Sequence, residues 1–546
     1  MTPSQTAHPS SLVRASWWLA ALALLALRLP HLGGPLDDPH AWRQCDTVHY
    51  SLDFHRHGID LLHPAVCWLG GHRTLILEFP LPEAMAALLY RVGGADPMWD
   101  RVVALAFFIA AAGYFLAFAR LVAGGRAARL ATLAYLALPL GQFYSRAAHV
   151  DFAATAFAHG LLYHGSRAFR DRSVLHASLA GGAGALGAMI KAPYVFPVLG
   201  PLALAALAAP MLSTLLLGVL ALGMTSAAFV LWRRHVDAVN AAAPDWSFLP
   251  GYYKEVNPAW WYFGSPAQRL VLHDWVRIAR RALFAVATPI GALLAVAGLA
   301  GPGAAGRRFG PRAYALAWAG STVLYVLVFF PLNVIHDYYQ IPFLAPVALL
   351  VGCGMEVLWE RLPPLRGVPA GVLVLVLFLG FALWMPVPLG YYRVDWLRVE
   401  AGRALARHTR PDELLVAADH ASGHSDPRLL LRADREGWSL AIADLTPERL
   451  ARLEQLGARW VAVITSPGRP ERVPPAFLRP ARAARVPLSH DGRVLGTLEL
   501  FRLGGSEAGA APGAGLPLGP PPLAPAPGSA APGSAVPGGT APGSRP

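Results

Sequence analysis

Lysine is nearly missing from this chain of 546 residues: its 46 basic residues include only Lys191 and Lys254. Charge of either sign is scarce as well, at 14% of residues, where a soluble domain carries about a quarter. A chain so poor in charge cannot cover its surface against water, and a soluble globular enzyme is excluded. The net charge of +13 does not indicate nucleic acid, because the arginines recur at the ends of apolar runs and not along one face. Cysteine is limited to three, too few for a disulfide framework; Cys45 and Cys67 could pair if their segment lies outside the cytoplasm.

What the sequence has in quantity is apolar residues, 55% of the total, gathered in about eleven runs near 16–32, 101–119, 126–143, 150–165, 174–190, 193–209, 211–231, 281–300, 314–331, 341–359 and 368–387. A bilayer core about 30 Å thick takes roughly 20 apolar residues per helix. The expected fold is therefore an all-α polytopic membrane protein of about eleven transmembrane helices, with a small C-terminal α/β domain outside the membrane. The stretch 174–209 is too long for one span and reads as two helices with a turn at Lys191-Ala192-Pro193; a single tilted helix there would reverse every later side assignment.

Arginines in the short connections (Arg14; Arg120, Arg126, Arg129; Arg167, Arg170, Arg172; Arg307, Arg308, Arg312; Arg361, Arg366) share one side when residues 1–15 are cytoplasmic. Three parts then face outward: loop 33–100, the connection 232–280, and everything from 389 on. The first run is an anchor or a signal peptide, and either way the next loop is outside. Arg233, Arg234, Arg269, Arg277, Arg280 and Arg281, which flank the 232–280 connection, break the charge rule, and a site for an anionic lipid would need cations there. Trp246, Tyr252, Tyr253, Trp260, Trp261, Tyr262 and Trp275 in the same connection suit an interfacial segment, serving as an aromatic belt or touching substrate.

In 389–503, strands are expected at Glu413–Ala418 and Arg459–Thr465. A helix is framed by Thr446, Pro447 and Gly457, and a hairpin turns at His490-Asp491-Gly492. The segment 504–546 is Ala-Pro-Gly-Ser repeat and reads as a disordered tail.

Polar groups clustered in such a chain mark its chemistry. Seven of the 19 histidines fall between His31 and His72, beside the string Trp42-Arg43-Gln44-Cys45-Asp46-Thr47. That string lies on an expected helix from Pro39 to a stop at Gly58. Asp46 beside Arg43 suits a base acting on an acceptor hydroxyl, or is half of an ion pair at helical spacing. His40, His49, His55, His57 and His63 match no strict metal-ligand spacing. By the assigned topology, Glu78, Arg146, Asp151, Lys191, His336, Asp337, Tyr338 and Tyr339 all fall on the outer side with Asp46. Cations and phenols there can hold a lipid phosphate that leaves while a carboxylate activates the nucleophile.

These residues also carry a resemblance. Trp42–Thr47, Gly58-Ile59-Asp60-Leu61-Leu62-His63-Pro64, Glu78-Phe79-Pro80, Ser145-Arg146 with Asp151, and His336-Asp337-Tyr338-Tyr339 resemble bacterial family 39 glycosyltransferases, relatives of the protein O-mannosyltransferases and the aminoarabinose lipid A transferase, with the GT-C membrane fold. The likeness runs from about Asp37 to Val351, with a weaker echo at Arg435-Glu436-Gly437-Trp438. It implies sugar transfer from a polyprenyl-phosphate donor to a lipid, glycan or protein acceptor outside the cytoplasmic membrane, with Asp46 catalytic and Asp151 positioning substrate or a divalent cation. His40-Ala41 stands where His-Glu is common, and Cys45 replaces a small residue. Arg146, Lys191 and Tyr339 are the expected partners of the departing phosphate. Arg43, Glu78, His336, Asp337 and Tyr338 complete the expected substrate site. The alternative is a multi-pass transporter of an anionic solute, which internal repeats would favour; none is visible.

Overall fold

The computed structural model describes residues 11–300, 308–420, 422–466 and 473–504. The expected tail and most of the N-terminal segment lie outside the described residues. The helices are α1 (Ser11–Ala26), α2 (Ala41–His57), α3 (Leu81–Gly93), α4 (Met98–Ala123), α5 (Gly125–Ala137), α6 (Pro139–Tyr144), α7 (Asp151–Asp171), α8 (Val174–Lys191), α9 (Leu199–Leu207) and α10 (Met211–Ala241). They continue with α11 (Ala259–Phe263), α12 (Leu272–Arg281), α13 (Pro289–Leu299), α14 (Pro311–Val328), α15 (Phe330–Ile335), α16 (Leu344–Arg361), α17 (Ala370–Trp384), α18 (Trp396–His408), α19 (Arg428–Ala433) and α20 (Pro447–Gln455).

All eleven apolar runs are largely helical, but fewer are long and apolar enough to cross a bilayer alone. Among the described residues these are Met98–Ala123, Val174–Leu207, Met211–Ala241 and Asp337–Arg361, with a fifth if Leu272–Ala287 and Pro289–Leu299 count together. The shortfall against eleven has a local cause. Helices α1, α5, α13 and α17 have 16, 13, 11 and 15 residues, and α5 is cut from α6 where Leu138 turns extended before Pro139.

Val174–Leu207 is helical over 34 residues, yet its contacts show two antiparallel arms. The His176 and His164 Nδ1 atoms are 2.9 Å apart, and Leu202 packs against Gly165, the residue next to His164. A straight helix would hold residues 176 and 202 about 39 Å apart. The reversal sits at Lys191, whose backbone leaves the helical region (φ −159°, ψ 82°) before the 3-10 turn Ala192–Val198. That turn brings Lys191 to the end of the bundle where α7 begins with Asp151. Elsewhere the bundle closes through small residues: a Cβ on Gly354 of α16 would collide with the Leu294 carbonyl of α13, and one on Gly298 with that of Leu350.

Residues 414–502 form a mixed five-stranded sheet in the order β2-β1-β3-β5-β4: β1 (Leu414–Asp419), β2 (Gly437–Ala441), β3 (Ala458–Thr465), β4 (Arg482–His490) and β5 (Arg493–Arg502). β2, β1 and β3 are parallel, and β5 joins β3 and β4 antiparallel. The expected signals are where the elements end. Thr446 caps α20 by accepting from the Arg449 N–H, and Asp491-Gly492 takes positive φ between β4 and β5. This domain does not bury its core alone. Tyr50, Val66, Trp68, Leu69, Leu75 and Trp246 from the two long connections pack into the same cluster as Leu415, Trp438 and Val461.

The loop carrying Trp68 is pinned to β2 as well. Gly70 N–H donates to the Gly437 carbonyl (2.7 Å), and Gly437 N–H donates to that of Cys67 (2.9 Å). Gly70 takes a positive φ of 54° and lies against the Trp438 ring, where no side chain would fit. Arg73 reaches Glu436 (2.9 Å), and Arg56 grips Asp434 with two bonds of 2.7 and 2.8 Å. The Arg435–Trp438 string is thus a clamp on the first long connection.

Candidate active site

Helix α2 carries the first acid. Asp38 accepts from the Ala41 N–H at its start, His55, Arg56 and His57 oppose the dipole of its last turn, and Gly58 (φ 98°) ends it. Asp46 is 3% exposed. One carboxylate oxygen accepts from the Trp68 indole N–H at 3.0 Å, and the other meets the Arg43 guanidinium at 3.4 Å. Burial pushes the Asp46 carboxyl up to about 6, and Arg43 and Trp68 only partly offset it. An acid with that affinity is ionised near neutrality and still basic enough to accept a proton.

A relay of charges continues from Asp46. Arg43 also pairs with Glu78 through its other nitrogen; Glu78 lies 3.9 Å from the Lys191 ammonium; Lys191 pairs with Asp151 at 2.9 Å. The ammonium stands 4.6 Å from the ring centres of both Tyr338 and Tyr339. Asp151 also accepts from the Tyr194 hydroxyl and contacts His149. Asp337 accepts from Tyr144 (2.6 Å) and Tyr391 (3.0 Å) and lies 3.1 Å from His40 Nε2. The His336 ring is stacked on Tyr338 with centres 4.9 Å apart, within 5.1 Å of His40, and among the described residues neither of its nitrogens has a hydrogen-bond partner. Segments more than 250 residues apart in sequence therefore share one end of the bundle.

Arg146 is placed differently from the expectation. Its guanidinium is fully buried, makes two bonds of 2.9 and 2.6 Å to Asp37, and lies between the Phe143 and Tyr392 rings. It braces the start of the first connection and is not among the groups around Lys191. Cys45 and Cys67 are free and buried, and burial raises the Cys45 thiol to about 12. Burial raises the Cys67 thiol as well, and the two sulfurs are not joined in the disulfide that the sequence allowed. Asp151 does not suit a divalent cation: both its oxygens are already engaged by Lys191, Tyr194 and His149. No group of three or more His, Cys, Asp or Glu among the described residues is arranged to hold a metal.

Beside this relay lies a cavity of about 630 Å³. Its polar lining includes Glu78, Lys191, Arg233, Tyr262 and Tyr339; its walls are apolar side chains such as Phe196 from the turn after α8, Leu199 at the start of α9, and Phe229 and Val230 from α10. Asp46 stands one guanidinium beyond Glu78. Sequence reasoning missed Trp68, Tyr194, Arg233 as a cavity residue, and Glu255, whose carboxyl burial raises to about 7 while Tyr253 and Arg233 pull it back. Tyr194 had a signal, its place in the Lys191 turn; Trp68 had none.

The Trp68 bond yields a first expected result. Trp68→Phe keeps the ring in its pocket and removes the donor to the Asp46 carboxylate. The Asp46 carboxyl then rises further, and the acid limb of any Asp46-dependent activity moves up by about one pH unit. A merely structural Trp68 would lower the rate at all pH values alike.

The described helices and sheet adopt the GT-C fold of membrane glycosyltransferases. Among solved structures, ArnT from Cupriavidus metallidurans bound to undecaprenyl phosphate superposes with a TM-score of 0.57 at 15% identity, covering 92% of this chain and 100% of that one. The oligosaccharyltransferase of Archaeoglobus fulgidus in its apo form gives 0.55 at 12% identity, covering 82% and 69%. Arabinofuranosyltransferase AftD from Mycobacteria gives 0.56 at 15%, covering 91% of this chain and 40% of that one. No family model and no curated protein matches the sequence.

Proposed function

We propose that this protein is an integral-membrane glycosyltransferase that moves a sugar from a polyprenyl-phosphate donor to an acceptor hydroxyl at the outer face of the cytoplasmic membrane. The observation that carries the reading is the 630 Å³ cavity, apolar along α10 and the turn after α8, with Lys191 and Tyr339 in its lining beside a buried chain of acids. That is the chemistry of an isoprenoid tail with a phosphate head. The undecaprenyl phosphate bound by the similar ArnT structure supports it.

In this mechanism the acceptor O–H gives its proton to the Asp46 carboxylate as its oxygen bonds to the anomeric carbon. The carbon–oxygen bond to phosphate breaks, and its electron pair leaves on polyprenyl phosphate. One displacement inverts the anomeric centre. Lys191 and the Tyr339 phenol meet the charge growing on the phosphate, while Arg43 and Glu78 fix the distance between base and leaving group. Asp151, through its pair with Lys191, positions the ammonium. His336, Asp337 and Tyr338 border the sugar's side of the site.

The test is mass spectrometry of envelope lipids and glycans from cells with and without the gene, followed by transfer from polyprenyl-phosphate sugar by purified protein in nanodiscs. The expected outcome is loss of one sugar residue mass from one acceptor, regained on incubation with the protein. Identical envelopes, with no transfer in nanodiscs from any polyprenyl-phosphate sugar supplied, would reject the reading.

A further inference from the structure

Six arginines in the 232–280 connection and just beyond it break the charge rule, and the structure accounts for only some of them. Arg233 pairs with Asp237 and lines the first cavity; Arg269 is spent on the carbonyls of Phe263, Ser265, Leu327 and Val328; Arg281 caps α15 through the carbonyls of Asn333 and Val334. Arg234 lines neither cavity. Arg277 and Arg280 are exposed, and among the described residues neither has a carboxylate within ion-pair distance; Arg277 reaches only His273, at 3.4 Å.

Both line a second cavity of about 700 Å³ that shares no residue with the first. One wall is α12, with Arg277, Arg280 and Arg281. The other is the end of α17 and the turn after it, with Phe381, Trp384, Met385 and Leu389. The segment Leu272–Ala287 meets Pro289–Leu299 at 85°, so where α13 runs with the bundle α12 lies across it, in the attitude of an interfacial helix. Beyond the cavity, α17 exposes Val376 and Leu377 at 62–63%. The cavity therefore joins unpaired guanidiniums at interfacial level to an apolar face that continues into the membrane. Asp337 lines this cavity and Tyr339 the first, so the His336–Tyr339 segment is the partition between the two.

We infer that the cavity between α12 and α17 is a second lipid site, which takes the phosphate headgroup of an anionic phospholipid on Arg277 and Arg280 and lays its acyl chains along α17. Charge complementarity selects the headgroup, and the apolar wall selects a lipid over a soluble phosphate. The inference goes beyond the proposed transfer reaction and stands without it: its headgroup contacts, Arg277 and Arg280, are not among the groups around Asp46 and Lys191, and of the residues placed at the transfer site only Asp337 lines this cavity.

The experiment is native mass spectrometry of the full chain, delipidated in detergent, titrated separately with phosphatidylglycerol, phosphatidylcholine and undecaprenyl phosphate. Expected is one tightly held phosphatidylglycerol and no comparable phosphatidylcholine, with phosphatidylglycerol retention falling roughly tenfold in Arg277→Gln/Arg280→Gln. Undecaprenyl phosphate retention should be unchanged in that variant and fall in Lys191→Met. Arg280→Gln alone, at an exposed position, gives a smaller loss in the same direction and serves if the double variant does not fold. Equal retention of phosphatidylglycerol by the variants, equal binding of phosphatidylcholine, displacement by equimolar inorganic phosphate, or a parallel loss of undecaprenyl phosphate in the arginine variants would each overturn the inference. Failure of undecaprenyl phosphate to bind the wild type would count against the proposed function and not against this site.

Discussion

Asp46→Asn is expected to lower sugar transfer by about a thousandfold while leaving the protein folded, the scale on which a positioned base contributes. The side chain keeps its size and an oxygen for the Trp68 N–H, and Arg43 keeps Glu78 as its counter-ion, so no buried charge is stranded. The rate should follow the ionised fraction of Asp46. With its carboxyl raised to about 6, transfer falls about tenfold per pH unit below that value and is level above it. The sign is diagnostic, because a protonated Asp46 acting as an acid would give the opposite slope. Glu78→Gln is the control: it lines the cavity and touches Arg43 and Lys191, and its loss is expected to cost nearer tenfold with no change in the acid limb. Transfer by folded Asp46→Asn at the wild-type rate would remove Asp46 from the mechanism.

Lys191→Met carries the second large effect, on stability as well as on transfer. Asp151 is fully buried with Lys191 at 2.9 Å, and removing the ammonium leaves that carboxylate without its cation, a loss of about 3–5 kcal/mol in buried pairs. Adding Asp151→Asn removes the stranded charge, so the double variant should recover most of the thermal stability of the wild type. It should not recover transfer or undecaprenyl phosphate binding, because the cation facing the cavity is still missing. Thermal unfolding in detergent and carrier binding, measured on the two single variants and the double, complete the cycle. A stable double variant that transfers sugar normally would confine Lys191 to holding Asp151 in place.

Local signals were legible wherever the chemistry is local. Pro39 and Gly58 bracket α2 to within a residue or two, Thr446-Pro447 starts α20, and His490-Asp491-Gly492 turns the hairpin, because each depends on a cap or a φ value set by neighbours in the chain. The turn at Lys191 was legible because an apolar stretch too long for one span had to be broken somewhere, and Ala192-Pro193 is the place a helix yields. β2 was not, since Gly437–Ala441 becomes a strand only against β1 and under the clamp on Gly70. Nor could span number be read from apolar runs alone, because breaks such as Leu138-Pro139 divide them.

Composition and patterning by themselves determined that this is a helical membrane chain with a small C-terminal α/β region, and that acids and bases gather in a few polar segments. Which charge meets which was decided only by tertiary structure. Arg146 and Lys191 read alike in the sequence, yet one is consumed by Asp37 and the other faces a cavity. Arg43 and Asp46, legible as a simple i, i+3 pair, are joined by Glu78 and by Trp68 from outside their helix. The reason is physical: hydrophobic runs and caps are set within a few residues, whereas the partner of a buried charge is set by packing between segments that the chain keeps hundreds of residues apart.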